Sequence, residues 1–335
     1  MRALASAARG EGAGRLGIRA FSRLFTFKEI FYSLTMRNKL VLAAAIAVCV
    51  PLPTSAQQDF SKVEIKTEKL ADGLYMLTGA GGNLGLSVGT EGAFLIDSQY
   101  APLTDRIKAA IAAVSAQPVR FVLNTHWHGD HVGGNENLGK TGAVIVAHEN
   151  VRKRMSTEQF NKIFNSKTPP ALAIAMPLVT FVDSVSFHVN GDDVDAFHVP
   201  PAHTDGDAIV QFRKANVLHM GDTFFNGMYP FVDLSTGGSI AGMMAACDRG
   251  LAMGDAATKI IPGHGPLATK ADLKAFRDML AASRDAVAPL VKAGKTLEEI
   301  KAAKPTAALD EKWGKGFLKP EVWVSIVYGD LSGNK

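Results

Sequence analysis

The chain has 335 residues, 47% of them apolar and 20% charged. This balance excludes disorder, which goes with few apolar residues and high net charge. A multispan membrane protein is excluded as well, because only one stretch approaches the apolar run a bilayer requires. The formal charge of +4 is concentrated at the N-terminus, where residues 1–56 hold eight of the 36 Lys and Arg but two of the 32 Asp and Glu. That leaves 28 bases against 30 acids, a net −2, in residues 57–335. With no basic run, the body has no electrostatic footprint for nucleic acid.

Taken in chain order, the first element is an address. Residues 36–56 read as a basic Met-Arg-Asn-Lys, an apolar stretch from Leu40 to Val50, and Pro-Leu-Pro-Thr-Ser-Ala. This is the tripartite pattern of a secretory signal cleaved after Ala56. Eleven apolar residues are too few to span a bilayer, and Pro51 and Pro53 break any continuation. Residues 1–35 are Arg-rich and acid-poor, and by themselves suggest a transit peptide; a translation start at Met36 is the simpler account. The expectation is a periplasmic or secreted protein, mature from residue 57 and free of the membrane after cleavage. Cys247 is then the one remaining cysteine, so no intrachain disulfide forms and the core carries stability.

The body alternates short β-rich runs with helical ones. Strands are predicted over 63–69, 74–78, 84–88, 93–97, 120–124 and 143–147, then over 184–189, 194–199, 208–213, 217–220 and 259–261. Helices are predicted over 103–115, 150–155, 240–253, 270–293, 297–303 and 320–332. Helix 103–115 between two strands reads as a βαβ crossover. The Pro-rich stretch 160–177 reads as an irregular loop. One α/β domain over 57–335, made of two βα halves meeting between residues 165 and 195, accounts for this pattern.

Three of the nine histidines fall within six residues, in Thr125-His126-Trp127-His128-Gly129-Asp130-His131. The segment leaves an apolar strand. His126 and His128, two apart on extended backbone, share one face, while Asp130 and His131, beyond the Gly129 bend, aim elsewhere. His203, Asp222 and His264 stand at comparable strand exits, each with a glycine within three residues. His126, His128 and His203 make one three-nitrogen set and Asp130, His131 and His264 a second, with Asp222 able to bridge them. Three ligands per ion with an open position is the catalytic arrangement of zinc. Iron or manganese is also compatible with these donor types.

The motif His-x-His-x-Asp-His at 126–131, followed by His203, Asp222 and His264 and preceded by Asp97, resembles the metallo-β-lactamase-fold metallohydrolases over about residues 62–270. The resemblance implies an α/β fold, a four-layer αβ/βα sandwich with a dinuclear site at one edge. It implies a zinc hydrolase with two Zn²⁺ per chain, in which a metal-bridging hydroxide attacks an amide/lactam or ester/lactone bond of a small molecule. Asp130 would be both ligand and orienting acceptor. The family's true β-lactamases place Cys or Ser where Asp222 stands, so the resemblance does not imply antibiotic hydrolysis. Two other readings stay open: a single-iron sulfur dioxygenase using His126, His203 and Asp222, and a non-catalytic metal-binding accessory of the envelope. Oligomeric state is not legible.

Further expectations concern the surroundings. Tyr229, between Met228 and Pro230, reads as a loop residue lining the substrate cleft. Trp127, alternating with two donors, should turn into the core. Asn83 should approach the site from an early hairpin, and Asp205 or Asp207 should orient an imidazole. His148, His188, His198 and His219 are read as ordinary core or surface residues.

Overall fold

The structure, a computed structural model, describes residues 59–333; the signal-like segment, the residues before it and Cys49 lie outside the described residues. A first sheet is assembled from β1 (Lys66–Ala71), β2 (Leu74–Thr78), β3 (Leu84–Gly89), β4 (Gly92–Ile96), β5 (Val119–Asn124) and β6 (Val144–His148). After the small hairpin β7 (Gln159–Asn161) and β8 (Ser166–Thr168), β9 (Val179–Phe181) completes it. The order is β1-β2-β3-β4-β5-β6-β9, antiparallel as far as β4 and parallel from there. A second sheet runs β10 (Ser184–Val189), β11 (Asp192–His198), β12 (Ala208–Phe212), β13 (Val217–His219) and β14 (Lys259–Ile261), with only the last pair parallel. The boundary expected between residues 165 and 195 therefore falls between Phe181 and Ser184.

Alternation along the strands builds the layers. Phe94, Ile96, Leu123 and Val146 face the second sheet and pack with Val194, Val210, Val217 and Ile261. Their neighbours Leu95, Val122 and Ile145 face the other way, against Ile107 and Ile111 of α1 (Thr104–Ala112). Because both faces are covered, these central strands read as unbroken apolar runs. Short helices α2 (Gly129–Val132), α3 (Asn135–Gly139) and α4 (Glu149–Met155) follow β5 and β6.

On the far side, Leu218 and Ile260 meet α5 (Ile240–Ala252), α6 (Lys270–Lys292) and the helices after it, α7 (Leu297–Ala303), α8 (Ala307–Trp313) and α9 (Pro320–Ser332). α6 buries Leu273, Phe276, Leu280 and Val287 as one stripe and opens with a capping box between Thr269 and Asp272. α9 starts on Pro320, where a missing N–H costs nothing. The result is the αβ/βα sandwich implied by the motifs. Each half contains a β–α–β crossover, β4–α1–β5 and β13–α5–β14, and in open α/β sheets the carboxyl ends of such strands are where ligands sit.

Candidate metal centre

All seven predicted donors meet at those strand ends. His126 and His128 leave β5, and His128 is the residue before α2, whose first turn carries Asp130 and His131. His203 lies in the loop between β11 and β12, Asp222 in the 3-10 turn after β13, and His264 just past β14. One atom each from His126, His128, His203 and Asp222 lies within 4.8 Å of the others, and the same holds for Asp130, His131 and His264. Asp222 touches both groups: Oδ1 is 3.0 Å from His131 Nε2, and Oδ2 is 3.4 Å from both His203 Nε2 and His264 Nε2. Asp130 Oδ2 approaches His264 Nε2 at 3.2 Å.

The backbone allows this crowding only where side chains are missing. A Cβ on Gly263 would sit 2.0 Å from Asp222 Oδ1, and one on Gly82 would sit 2.1 Å from the His131 ring. Gly82 thus serves close approach to an imidazole, and Gly81 beside it close approach to Asp130, whose carbonyl a Cβ there would meet at 2.8 Å. Asp97 is held in the left-handed region at φ 64°. It compensates by accepting from Thr125 N (2.7 Å) and Thr125 Oγ1 (2.8 Å) and contacting His131 Nδ1 at 2.8 Å. Asn83 Nδ2 donates to the carbonyls of Pro262 and Gly265, tying the early hairpin to the His264 loop as expected.

Charge decides what the centre can hold. Asp97, Asp222 and Asp233 are buried, and these carboxylates and Asp130 form ion pairs with histidines: His126, His128, His131, His203 and His264. Burial opposes charge on His131, but Asp222, Asp130 and Asp97 outweigh it and hold its pKa well above the ordinary value. Burial likewise opposes charge on His264, and Asp222 and Asp130 push it up to about 9. Burial keeps His126 well below the ordinary value and brings His203 to about 4. Burial would raise Asp130 and Asp222, yet His131 with its neighbours holds both below the usual carboxylate range. His126 Nε2 is buried without a hydrogen-bond partner, and His131 Nε2 and Asp222 Oδ1, buried 3.0 Å apart, have no partner aligned for a hydrogen bond. Orphaned polar atoms converging on one spot are costly in an apolar interior, and imidazole nitrogens with carboxylates are the donor types of a divalent transition metal. The residues form two donor groups, each able to hold a metal ion, that meet at Asp222.

Several surrounding residues depart from expectation. Tyr229 does not line the cleft: it is 1% exposed, stacks on Trp323 at 5.4 Å and gives its hydroxyl to Asp310 at 2.7 Å. The phenol is amphipathic, and α8 supplies a partner for its tip inside the helical layer. Asp207 shapes the His203 loop through Thr204 and the His203 N–H, while the His203 ring is oriented by the Phe231 carbonyl at 2.7 Å from Nδ1. Asp205 pairs with Arg154. Trp127 packs with Ala147, Val151 and Met155 as expected, though one edge reaches the cleft. His148 stacks on His198, His188 pairs at the surface with Asp193, and His219 contacts the Asn83 carbonyl.

Two residues escaped the sequence reading. Asp233 Oδ2 lies 3.1 Å from His128 Nε2, and Tyr100 lines the cleft. No spacing marks either one, since Asp233 is 105 residues from its histidine.

A family model described as the metallo-β-lactamase superfamily matches residues 77–272, and the chain belongs to that family. A metal-dependent hydrolase of Rhizobium johnstonii is 30% identical over 146 residues, 39% of this chain and 59% of its own length. A hydroxyacylglutathione hydrolase of Pelagibacter ubique is 28% identical over 109 residues, 32% of this chain and 37% of its own. The similarity thus spans less than two thirds of either relative. Among solved structures, a metallo-β-lactamase from Pontibacter korlensis matches with a TM-score of 0.54 at 21% identity, covering 65% of this chain and 99% of that one. That likeness is one of fold.

Proposed function

We propose that the protein is a periplasmic or secreted hydrolase that uses two Zn²⁺ ions to cleave an amide/lactam or ester/lactone bond in a small molecule. The observation that carries this is the pair of donor sets joined through Asp222, with three buried atoms left unsatisfied between them. His126, His128, His203 and Asp222 would hold one ion; Asp130, His131 and His264, with Asp222, the other. When bound, such cations would supply Lewis acidity and would make water available as a nucleophile near neutral pH.

The chain's own residues do the rest. The Asp130 side chain is 21% exposed and borders the cleft, where it can accept a hydrogen bond from water and fix its orientation. Asp97 and Asp233 lock the rings of His131 and His128, so the donors are set before substrate arrives. The Tyr100 hydroxyl stays protonated, pushed up to about 12 by burial and by Asp130 and Asp222, and can donate to a substrate oxygen. The curated relatives' names, a metal-dependent hydrolase and a hydroxyacylglutathione hydrolase, support a hydrolytic reaction.

Metal content by mass spectrometry, paired with chelation and re-addition against nitrocefin and a lactone, tests the reading. Two zincs per chain with restorable turnover of either substrate are expected. Full turnover after exhaustive chelation, or one iron with oxygen consumption and no hydrolysis, would overturn it. N-terminal sequencing of secreted material, expected to begin at residue 57, tests the location.

A further inference from the structure

Above the metal centre lies a cleft of about 540 Å³ whose wall includes a row of aromatic side chains, with Asn161, Ser166 and Thr168 beside it. Trp127, Phe225, Met228 and Phe231 form its inner part, and Phe164 and Phe317 stand at its outer part. The rings form a continuous path. Phe317 lies 5.6 Å from Phe164, Phe164 lies 5.0 Å from Phe231, and Phe231 lies 5.7 Å from the His128 imidazole. Exposure falls along the same path, from 70% at Phe317 through 43% at Phe164 to 8% at Phe231.

Neither outer ring is a loose surface side chain. Phe164 sits in the turn joining β7 to β8, where Asn161 Oδ1 accepts from the N–H groups of Ile163 (3.0 Å) and Phe164 (3.1 Å). Asn165 beside it takes the left-handed conformation at φ 46° that closes the turn. Phe317 is framed by Gly316, whose absent Cβ would lie 2.5 Å from Met228 Cβ, and by Leu318, which is 3% exposed. Three segments distant in the chain therefore hold their rings in one row over the metal centre. Exposed apolar surface of this kind beside convergent polar groups marks a ligand groove. The lining holds the carboxylates Asp130 and Asp222 and the imidazoles of His128 and His264; no Lys or Arg is among the residues that line it.

We propose that the cleft takes an uncharged substrate whose acyl or aryl group lies against Phe164, Phe231 and Phe317, and that it selects against substrates bearing a carboxylate on that group. This rests on the hydrolase reading above and narrows its substrate class. An apolar group entering the row leaves water for aromatic surface. A carboxylate in the same place loses its hydration with no cationic side chain to replace it.

The test uses the zinc-loaded full chain with two p-nitrophenyl esters of similar length, the neutral hexanoate and the carboxylate-bearing hemiglutarate. The expected kcat/KM favours the hexanoate by about tenfold or more. In Phe164→Ala and Phe317→Ala that ratio falls by about fivefold, and the affinity for N-phenyl-1-naphthylamine, an uncharged fluorescent probe read without turnover, falls by a similar factor. Leu178→Ser, which removes an equally exposed apolar side chain outside the cleft (77% exposed), keeps the wild-type ratio and probe affinity. Equal turnover of the two esters, or probe binding unchanged in both phenylalanine variants, overturns the proposal while leaving the hydrolase reading intact. Absence of turnover on any substrate, with probe binding still lost in the two variants, overturns the hydrolase reading and keeps the ligand class of the cleft.

Discussion

The two halves of the sandwich contribute to the centre in different ways. The N-terminal half places four of the seven donors in one six-residue stretch, 126–131, at the exit of β5, and backs them with Asp97 from the end of β4. The C-terminal half delivers His203, Asp222 and His264 one at a time, from three separate loops. In the first half, local backbone geometry separates the donors, with extended residues up to His128 and a helical turn from Gly129. In the second, the convergence depends on how one sheet holds β11, β13 and β14, with β12 between the first two, and on glycines that permit contact. A local cluster therefore needs little of the fold to aim it, whereas a distributed set has no meaning without the sheet.

Substitutions can break this comparison. Asp222 is the one donor that serves both sets, so Asp222→Ala should empty both and cost on the order of a thousandfold or more in kcat/KM, the several kcal/mol that bound metal contributes. Metal stoichiometry alongside kinetics checks this, and retention of two ions would show that Asp222 does not join the sets.

Single-donor variants sharpen the division. His126→Ala and His264→Ala should each lower metal content toward one ion per chain, from different sets, and each should reduce turnover by about a hundredfold or more. Loss of both ions from either variant would mean that the sets bind as one unit.

The supporting carboxylates come next. Asp97→Asn should weaken metal affinity by about 10–100-fold, because Asp97 orients His131 and also braces Thr125. Asp233→Asn should fall at the low end of that range, since the ring it orients, His128, is partly exposed. Competition with a chromophoric chelator ranks the two.

After chelation, stability should depend on pH. His264, raised to about 9 from 6.5, stabilises the fold fully below pH 6.5, and that contribution is lost as pH rises through 9. The melting temperature of chelated protein should therefore fall between pH 6.5 and 9, and bound zinc should flatten the decline.

The smallest effect is expected in the helical layer. Tyr229→Phe removes a hydrogen bond to Asp310 and should cost about 1 kcal/mol of stability. A kcat/KM close to wild type would agree with its place away from the cleft.

Much of this architecture was legible beforehand, for identifiable reasons. The central strands β4, β5 and β6 announced themselves as short apolar runs, and helix α6, predicted over 270–293, spans Lys270–Lys292. The stretch predicted as a loop over 160–177 instead contains the β7–β8 hairpin, which pairs only with itself and buries little, so no alternation betrayed it. The first strand starts at Lys66, three residues later than predicted, where pairing with β2 begins.

The donors carried by local spacing needed no tertiary knowledge. Sequence alone determined the βα halves and the motif at 126–131, because side-chain direction along a strand or a helical turn follows from backbone period. It also singled out His203, Asp222 and His264 as residues placed where glycine-bent strands end. Only the tertiary structure decided that Asp222 touches both donor sets, that Asp233 meets His128, that Tyr229 turns inward to Asp310, and that Phe164 and Phe317 share one row. Periodicity reports which face a residue occupies. The partner across that face, 81 residues away for Tyr229 and 105 for His128, is chosen by the packing of sheets and helices.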